Sequence, residues 1–193
     1  MIKKIDARGL ACPQPVVLTK NALDEIEEGI VEVTVDNEPA SENIARLASN
    51  SGCNVEITKE GENLIVMIEK KKESLKEERE EKKTISVFVS SNTMGRGDDK
   101  LGKILIRAFF PTLFEIKPQP DKIIFMNSGV ELTVEGSEVI DSLRMIEEEG
   151  MEILVCGTCL DFFNLKDKIK VGHISNMFEI VDSLINSDKI LTL

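Results

Sequence analysis

The apolar positions in the N-terminal third switch between the period of a strand and the period of a helix. Strands are predicted in "KKIDARG", in the alternating "GIVEVTVDN" and in the two halves of "CNVEITKEGENLIVMIEK". Two stretches between them repeat apolar residues at helical spacing, with inner faces of Val16, Thr19, Leu23 and Ile26 and of Ile44, Leu47 and Ala48. The order βαβαββ predicts a two-layer α/β sandwich, because both helices must cover one face of the sheet.

The C-terminal part has a different pattern, in which short apolar strands alternate with helices. Strands are predicted in "TISVFVSS", "DKIIFMNSG", "EILVCG" and "KILTL". Three helices are predicted between them, and their apolar faces are Leu101, Ile104, Leu105 and Ala108, then Val139, Leu143 and Ile146, then Phe178, Val181, Leu184 and Ile185. This pattern predicts a doubly wound, mostly parallel α/β sheet, in which reactive groups lie beyond the carboxyl ends of the strands.

A charged stretch separates the two patterns. In residues 69–83 only Ser74 and Leu75 are uncharged, so the stretch offers little apolar surface for packing. We therefore predict one domain over residues 1–69, a charged linker over 70–83 and a second domain over 84–193. A charged helix that extends from the last strand is an alternative that changes only the stiffness of the connection.

Composition narrows the range of partners. The 193 residues carry a formal net charge of −11, whereas binding to nucleic acid or to an anionic membrane needs clustered lysine and arginine. No apolar run has the ~20 residues that span a bilayer, and the first residues lack the apolar stretch of a signal peptide. We expect a soluble, cytoplasmic protein whose four cysteines are thiols rather than a disulfide framework.

Cys12 is the first candidate for chemistry, since it directly precedes the two prolines of "GLACPQPVV". Proline suits the first turn of a helix, where the N–H groups have no intrahelical acceptor, so Pro13 and Pro15 predict a helix with Cys12 at or near its N-cap. The helix dipole, with Arg8 and Lys20 as further positive charges, is expected to lower the pKa of this thiol. The alternative is a cysteine that serves only as a small N-cap residue.

Cys156 and Cys159 in "CGTC" are the second candidate, because Cys156 falls at the carboxyl end of a predicted strand and the spacing is that of redox dithiols. At a helix N-terminus this spacing lowers the pKa of the first cysteine. Cys53 is interpreted as structural and His173 as a loop residue; they are a poor set for zinc, so no metal and no other cofactor is expected. The alternative is a Cys156 packed under the sheet and a Cys159 without a role.

The loop "SSNTMGRGDDKLG" follows the first strand of the second domain. It matches neither a dinucleotide-binding fingerprint nor a P-loop, and Asp98 or Asp99 is interpreted as a helix cap. Loops at the carboxyl edge of such a sheet often line ligand crevices. Four of its residues are therefore candidates for the rim of the Cys156 site: Asn92, Gly95, Arg96 and Gly97.

The first domain resembles the TusA/SirA family of small sulfur carriers. The resemblance rests on "IDARGLACPQPVVLTKNAL" and continues through "VTVDNEPASENIARLASNSGCNVEI". The motif positions are Asp6, Gly9, Leu10, Cys12, Pro13 and Pro15. The resemblance implies that Cys12 accepts a sulfane sulfur as a persulfide and passes it on, so that the protein is a sulfurtransferase-like carrier rather than a turnover enzyme.

The second domain resembles the DsrE-like family of sulfur-relay proteins, whose reactive cysteine lies just after a central strand, where Cys156 stands. The fusion, with "CGTCLDFF" and "SNMFEIVDSL", resembles the YedF family, which is implicated in selenium metabolism. As partners this implies a cysteine desulfurase-like or other persulfide donor, a downstream acceptor protein and proteins of a selenium pathway. It also allows a homo-oligomer through the second domain.

Two functions are therefore open. In the first, Cys12 receives sulfur or selenium and exchanges it with Cys156, and Cys159 resolves the persulfide. In the second, the C-x-x-C pair is a thiol–disulfide redox or regulatory binding module, and the first domain only recruits a partner. An adduct of one sulfur atom on Cys12 would support the relay, whereas an internal disulfide alone would support the module.

Overall fold

The computed structural model describes residues 2–11, 13–71 and 83–193. The chain consists of two compact units, Met1–Glu80 and Glu81–Leu193. Cys12 and the charged stretch 72–82 lie outside the described residues. The prediction that Cys12 lies at or near a helix N-cap and the prediction of a linker or charged helix fall on those positions and stay predictions.

The N-terminal unit is a four-stranded sheet with two helices, in the predicted order βαβαββ. Its elements are β1 (Ile2–Asp6), α1 (Gln14–Asp24), β2 (Gly29–Val35), α2 (Glu38–Asn50), β3 (Asn54–Glu60) and β4 (Asn63–Lys70). The strand order is β1-β2-β4-β3; β1 runs parallel to β2, and β4 runs antiparallel to both β2 and β3. The predicted two-layer architecture is confirmed.

The core of this unit lies between one face of the sheet and the two helices. Along β2 every second residue is buried, namely Val31, Val33 and Val35, because alternate side chains of a strand point to the same face. Val16 and Leu23 of α1 are buried as predicted, and so are Ile44 and Ala48 of α2. Pro13 occupies the N-cap of α1 and Pro15 lies in its first turn, which agrees with a helix that the prolines start.

The C-terminal unit is a five-stranded, all-parallel sheet with helices. Its elements are β5 (Ile85–Val89), α3 (Asp99–Glu115), β6 (Lys122–Phe125), a 3₁₀ segment (Asn127–Thr133), α4 (Ile140–Glu148), β7 (Glu152–Cys156), α5 (Gly157–Phe162), a second 3₁₀ segment (Lys166–Lys168), β8 (His173–Ser175), α6 (Met177–Ile185) and β9 (Lys189–Thr192). The strand order is β8-β7-β6-β5-β9. Consecutive residues of β6 and β7 are buried, so both faces of the sheet are covered, and the predicted parallel α/β class is confirmed.

Two details of this unit differ from the sequence-based expectation. His173 lies in strand β8 rather than in a loop, and a strand of three residues leaves too little apolar pattern to be recognised. The predicted inner face of α3 is wrong, since Leu101, Ile104 and Leu105 are exposed while Gly102, Ile106, Phe110 and Leu113 are buried. Apolar residues lie on almost every side of α3, so their spacing does not identify the buried side.

The predicted apolar face is buried in α4 and only partly buried in α6. The predicted face of α4, with Leu143 and Ile146, is buried. On α6, Ile180 is buried while Val181 and Ile185 are exposed. No helix in the described ranges combines the length and the apolar character needed to cross a membrane.

Candidate thiol sites

Cys156 lies at the carboxyl edge of the parallel sheet, at the end of β7, as the sequence predicts. Cys156 is the last residue of β7 and the N-cap residue of α5, and only 2% of it is exposed. Cys159 follows one helical turn later and is partly exposed. None of the three described cysteines, Cys53, Cys156 and Cys159, is in a disulfide.

The pKa of Cys156 is raised, whereas the sequence predicted that it would be lowered. Burial, and after it the interaction with the neighbouring Cys159 side chain, raises the pKa of Cys156 to about 11. The backbone N–H groups of Thr158 and Cys159 act in the opposite direction and are outweighed. The expected lowering of the pKa of the first cysteine is therefore wrong, because Cys156 lies beneath the surface rather than at it. Its thiol keeps its proton at neutral pH.

The Cys159 sulfur has a hydrogen-bond donor. The backbone N–H of Asn127 donates to Cys159 Sγ at 3.2 Å. Asn127 follows β6 and has a φ of 48°, a left-handed conformation that asparagine tolerates better than most residues. Sequence reasoning missed Asn127, although it lies just beyond the carboxyl end of β6, at the same edge of the sheet as Cys156.

The 3₁₀ segment that carries this donor is packed tightly against β5. A Cβ atom on Gly129 would lie 2.4 Å from the carbonyl oxygen of Val89, a separation that real Cβ atoms do not show. Only glycine fits here without a shift of the backbone. The close approach of Gly129 thus fixes the segment, and with it the Asn127 N–H, against the sheet.

The loop after β5 is tied to the same 3₁₀ segment by Asn92. The Asn92 side chain donates to Glu131 Oε2 at 2.6 Å, and its backbone N–H donates to Ser128 Oγ at 3.3 Å. This places Asn92 beside the segment that contacts Cys159.

The other predicted rim residues are less closely connected. Gly95, Arg96 and Gly97 are exposed, and within the described ranges no hydrogen bond or ion pair joins them to either cysteine. Asp98 caps α3 by accepting the Leu101 N–H at 3.0 Å, which confirms the interpretation of this carboxylate as a helix cap.

In the first unit, the chain on both sides of position 12 is held by hydrogen bonds. The Gly9 N–H donates to Asp36 Oδ2 at 2.7 Å, and Gly9 has a φ of 70°, which favours glycine. The Gln14 N–H donates to the Ala11 carbonyl at 2.9 Å. Of the remaining motif residues, Leu10 and Pro13 are half-buried and Pro15 is buried. The loop that precedes Cys12 therefore has a defined path.

The two cations expected near Cys12 are both paired. Arg8 forms a two-point contact with Asp6, Nε to Oδ1 at 2.9 Å and Nη2 to Oδ2 at 2.7 Å. Lys20 contacts Asp24 one turn further along α1 at 2.5 Å. Arg8 and Lys20 were expected to add positive charge near position 12, and in the structure each has a carboxylate as counter-ion.

The Asp6–Arg8 contact predicts a pH dependence. The hydrogen bonds from Arg8 lower the pKa of Asp6 from 3.8 to about 2. A depressed carboxyl pKa stabilises the fold above the unfolded value, and this contribution is lost as pH falls from about 4 towards 2. We expect the difference in unfolding free energy between the full chain and Asp6→Asn to shrink over that range. A carbon-13 titration in which the Asp6 carboxyl group has its ordinary midpoint would contradict the pairing.

The fold and the placement of the cysteines define a two-domain thiol protein, with a dithiol at the carboxyl edge of a parallel sheet and a cysteine before a proline-started helix. Residues 3–70 match the family described as sulfurtransferase TusA, and residues 84–193 match the DsrE/DsrF-like family. The chain belongs to both families, as a fusion of one domain from each.

The relatives of the first domain are small proteins. The candidate sulfur carrier protein MJ0990 of Methanocaldococcus jannaschii is 45% identical over 71 residues, which cover 36% of this chain and 95% of the relative. The candidate sulfur carrier protein YrkI of Bacillus subtilis is 40% identical over 70 residues, which cover 35% of this chain and 93% of the relative. Each match lies on one domain only.

Solved structures are similar to each domain. A SirA-like protein of Desulfitobacterium hafniense is 38% identical, with a TM-score of 0.34, over 36% of this chain and 96% of that structure. The ychN protein of E. coli is 20% identical, with a TM-score of 0.43, over 57% of this chain and 99% of that structure. A protein of unknown function from Methanobacterium thermoautotrophicum, MTH1491, is 14% identical with the same coverage and TM-score.

Proposed function

We propose that this protein relays sulfane sulfur, or selenium in its place, between Cys12 and the Cys156–Cys159 pair. Two features support the proposal. The TusA-type domain carries its cysteine in the motif of a family whose relatives are named as sulfur carriers. The DsrE/DsrF-like domain presents two reduced cysteines at the carboxyl edge of its sheet, where reactive groups of parallel sheets lie.

The observation that carries the proposal is the asymmetry of the two thiols. Cys159 is partly exposed and its sulfur accepts the Asn127 N–H at 3.2 Å, whereas Cys156 is buried and keeps its proton. An incoming persulfide must be attacked by a sulfur that it can reach, so exposure decides which thiol receives it. We therefore assign Cys159 as the receiving thiol and Cys156 as the resolving thiol, the reverse of the order expected from the sequence.

The transfer step conserves atoms and electrons. The Cys159 thiolate attacks the outer sulfur of the Cys12 persulfide, so that a new S–S bond forms on Cys159 and Cys12 leaves as a thiolate. The persulfide on Cys159 then either passes its outer sulfur to the thiolate of an acceptor protein, or is attacked at Cys159 Sγ by Cys156, whose thiol proton passes to the departing outer sulfur. The second route gives the Cys156–Cys159 disulfide and releases the outer sulfur as hydrosulfide.

The partners follow from this chemistry. Sulfane sulfur must be supplied by a persulfide donor, for which a cysteine desulfurase-like enzyme is the natural class. The resolved pair is oxidised by two electrons, so an external dithiol must reduce it before the next cycle. Proteins of a selenium pathway would fill the same donor and acceptor roles if selenium is the cargo.

The test is mass analysis of the full chain after incubation with a cysteine desulfurase and cysteine. We expect peptides that contain Cys12 to gain one sulfur atom, and addition of a dithiol to release sulfide. If the only product is a Cys156–Cys159 disulfide, with Cys12 unmodified, the protein is a redox or regulatory module and the relay is excluded.

Charge near Cys12 gives a further prediction. We expect Arg8→Glu to raise the pKa of Cys12, because the substitution removes a cation and leaves Asp6 without its counter-ion. The measurement is the pH profile of alkylation at the Cys12 peptide in the full chain.

Lys20→Glu is the matched control for that substitution. It makes the same charge change, but six residues past the start of α1, about 9 Å along the helix axis. At that distance salt screens much of the interaction between the new charge and the Cys12 thiolate. Equal shifts for the two variants would show that position 8 has no special proximity to the thiol.

A further inference from the structure

A second cluster of ligand-type side chains is formed by strands β7 and β8 and the first turn of α6. It consists of Glu152 at the start of β7, His173 at the start of β8 and Glu179 in the first turn of α6. One carboxylate oxygen of each glutamate and one ring nitrogen of His173 lie within 4.8 Å of one another. Four residues of strand separate Glu152 from Cys156, about 13 Å. No cysteine sulfur belongs to the cluster, although Ser175, which contacts Glu179, is paired with Cys156 in the sheet.

The two carboxylates are oriented toward the same ring nitrogen. Glu152 Oε1 lies 3.8 Å from His173 Nε2, and Glu179 Oε1 lies 3.9 Å from it. The opposite oxygen of each carboxylate is held by an outer donor, Lys122 Nζ at 2.8 Å from Glu152 Oε2 and Ser175 Oγ at 2.6 Å from Glu179 Oε2. Metal sites are commonly built this way, with an outer hydrogen bond that fixes each ligand.

The ring nitrogen at the centre lacks a hydrogen bond. His173 Nε2 is buried and has no hydrogen-bond partner among the described residues, and the 3.8 and 3.9 Å separations are too long to supply one. Buried polar atoms in folded proteins are nearly always satisfied. A cation between the three atoms would give His173 Nε2 the partner that it lacks.

The size and charge of the cluster suit a divalent ion. Tetrahedral zinc with bonds of about 2.0 to 2.1 Å separates its ligands by about 3.4 Å. The two nitrogen–oxygen separations of 3.8 and 3.9 Å would each shorten by about half an ångström on binding, and all three atoms already lie within 4.8 Å of one another. The two glutamates and Lys122 together carry one formal negative charge in excess, with His173 neutral. One imidazole and two carboxylates are a ligand set that zinc accepts, and it leaves a coordination position for water.

We propose that Glu152, His173 and Glu179 form a binding site for a zinc-class divalent cation that is independent of the cysteines. The two carboxylates supply charge and the imidazole supplies selectivity for a borderline transition metal over calcium or magnesium. Ser175 acts as a positioning residue through Glu179.

His173 is the only histidine in the chain, so it reports on this site alone. The test is a zinc titration of the full chain, labelled with nitrogen-15 in histidine and followed by NMR, with zinc in excess over the thiols. We expect the His173 Nε2 resonance to shift on saturation of one site. Zinc bound by cysteines does not contribute to this signal, so failure of the sulfur-relay proposal would leave this result unchanged.

Variants separate ligation from a general effect on the fold. Glu179→Gln and Glu152→Gln are each expected to weaken zinc binding at this signal at least tenfold, and Ser175→Ala about tenfold. Glu138→Gln, which removes the carboxylate of an exposed ion pair with Arg107, is the matched control and should leave the titration unchanged. A His173 resonance that does not move in a large excess of zinc on the unaltered chain would overturn the proposal and leave an ion-pair network.

Discussion

Replacing Cys156 by alanine is expected to trap sulfur on Cys159. In the full chain loaded by a cysteine desulfurase, peptides that contain Cys159 should gain one sulfur atom, and sulfide release should fall to the level without protein. The reason is that Cys159 retains its exposure and its Asn127 N–H donor, whereas the sulfur that would attack the bound persulfide is gone. The readout is peptide mass together with sulfide measured over time.

Cys159→Ala is the matched variant, since it leaves Cys156 in place and removes the receiving thiol. We expect sulfur to stay on Cys12 in this variant, because the Cys156 thiol is 2% exposed and its pKa is raised to about 11. The double variant Cys12→Ser/Cys156→Ala tests whether the sulfur on Cys159 comes from Cys12. Sulfur on Cys159 in that protein would mean that the donor loads the second domain directly.

One outcome would restore the order that the sequence suggests. If Cys159→Ala accumulates a persulfide on Cys156, then Cys156 is reached by sulfur despite its burial, and the raised pKa does not decide which thiol attacks. If neither Cys156→Ala nor Cys159→Ala holds a persulfide, and the unaltered chain forms only a Cys156–Cys159 disulfide, the two cysteines act as a redox module.

The order of the two thiols illustrates what the sequence could not predict. The spacing C-x-x-C is the same whether the first cysteine is at the surface or beneath it, and the difference comes from the elements that pack over the end of β7. The donor to Cys159 comes from Asn127, which is 32 residues away in the chain. A contact of this kind depends on the alignment of β6 with β7, and a local motif does not contain it.

Where the apolar pattern is one-sided, the sequence was sufficient. The alternation of β2 and the apolar stripes of α1 and α2 predicted the N-terminal sandwich, because both helices need to cover the same face of the sheet. Helix α3 has apolar residues on several sides, and its exposed Leu101 and Ile104 were assigned to the core in error. Strand β8 was missed because three residues show no period, and the Glu152–His173–Glu179 cluster was missed with it.

The prediction for Cys12 is a complete loss of sulfur acceptance with no loss of fold. Cys12→Ser should take up no sulfur from the desulfurase at position 12 or, through the relay, at Cys159, because a hydroxyl oxygen forms no persulfide. The free energy of unfolding of this variant, measured by thermal denaturation, should stay within about 0.5 kcal/mol of that of the unaltered chain. Two hydrogen bonds of this loop, from the Gly9 N–H to the Asp36 side chain and from the Gln14 N–H to the Ala11 carbonyl, involve no atom of position 12.

A second variant distinguishes the thiol from the loop that presents it. Asp36→Asn keeps Cys12 but weakens the 2.7 Å hydrogen bond that holds the Gly9 N–H, since a neutral amide oxygen is a poorer acceptor than a carboxylate. We expect it to slow sulfur uptake without abolishing it, whereas Asp24→Asn, which disrupts an exposed ion pair with Lys20 on the same domain, should load at the normal rate. Sulfur uptake by Cys12→Ser equal to that of the unaltered chain would remove Cys12 from the relay and leave the Cys156–Cys159 pair as the only site of chemistry.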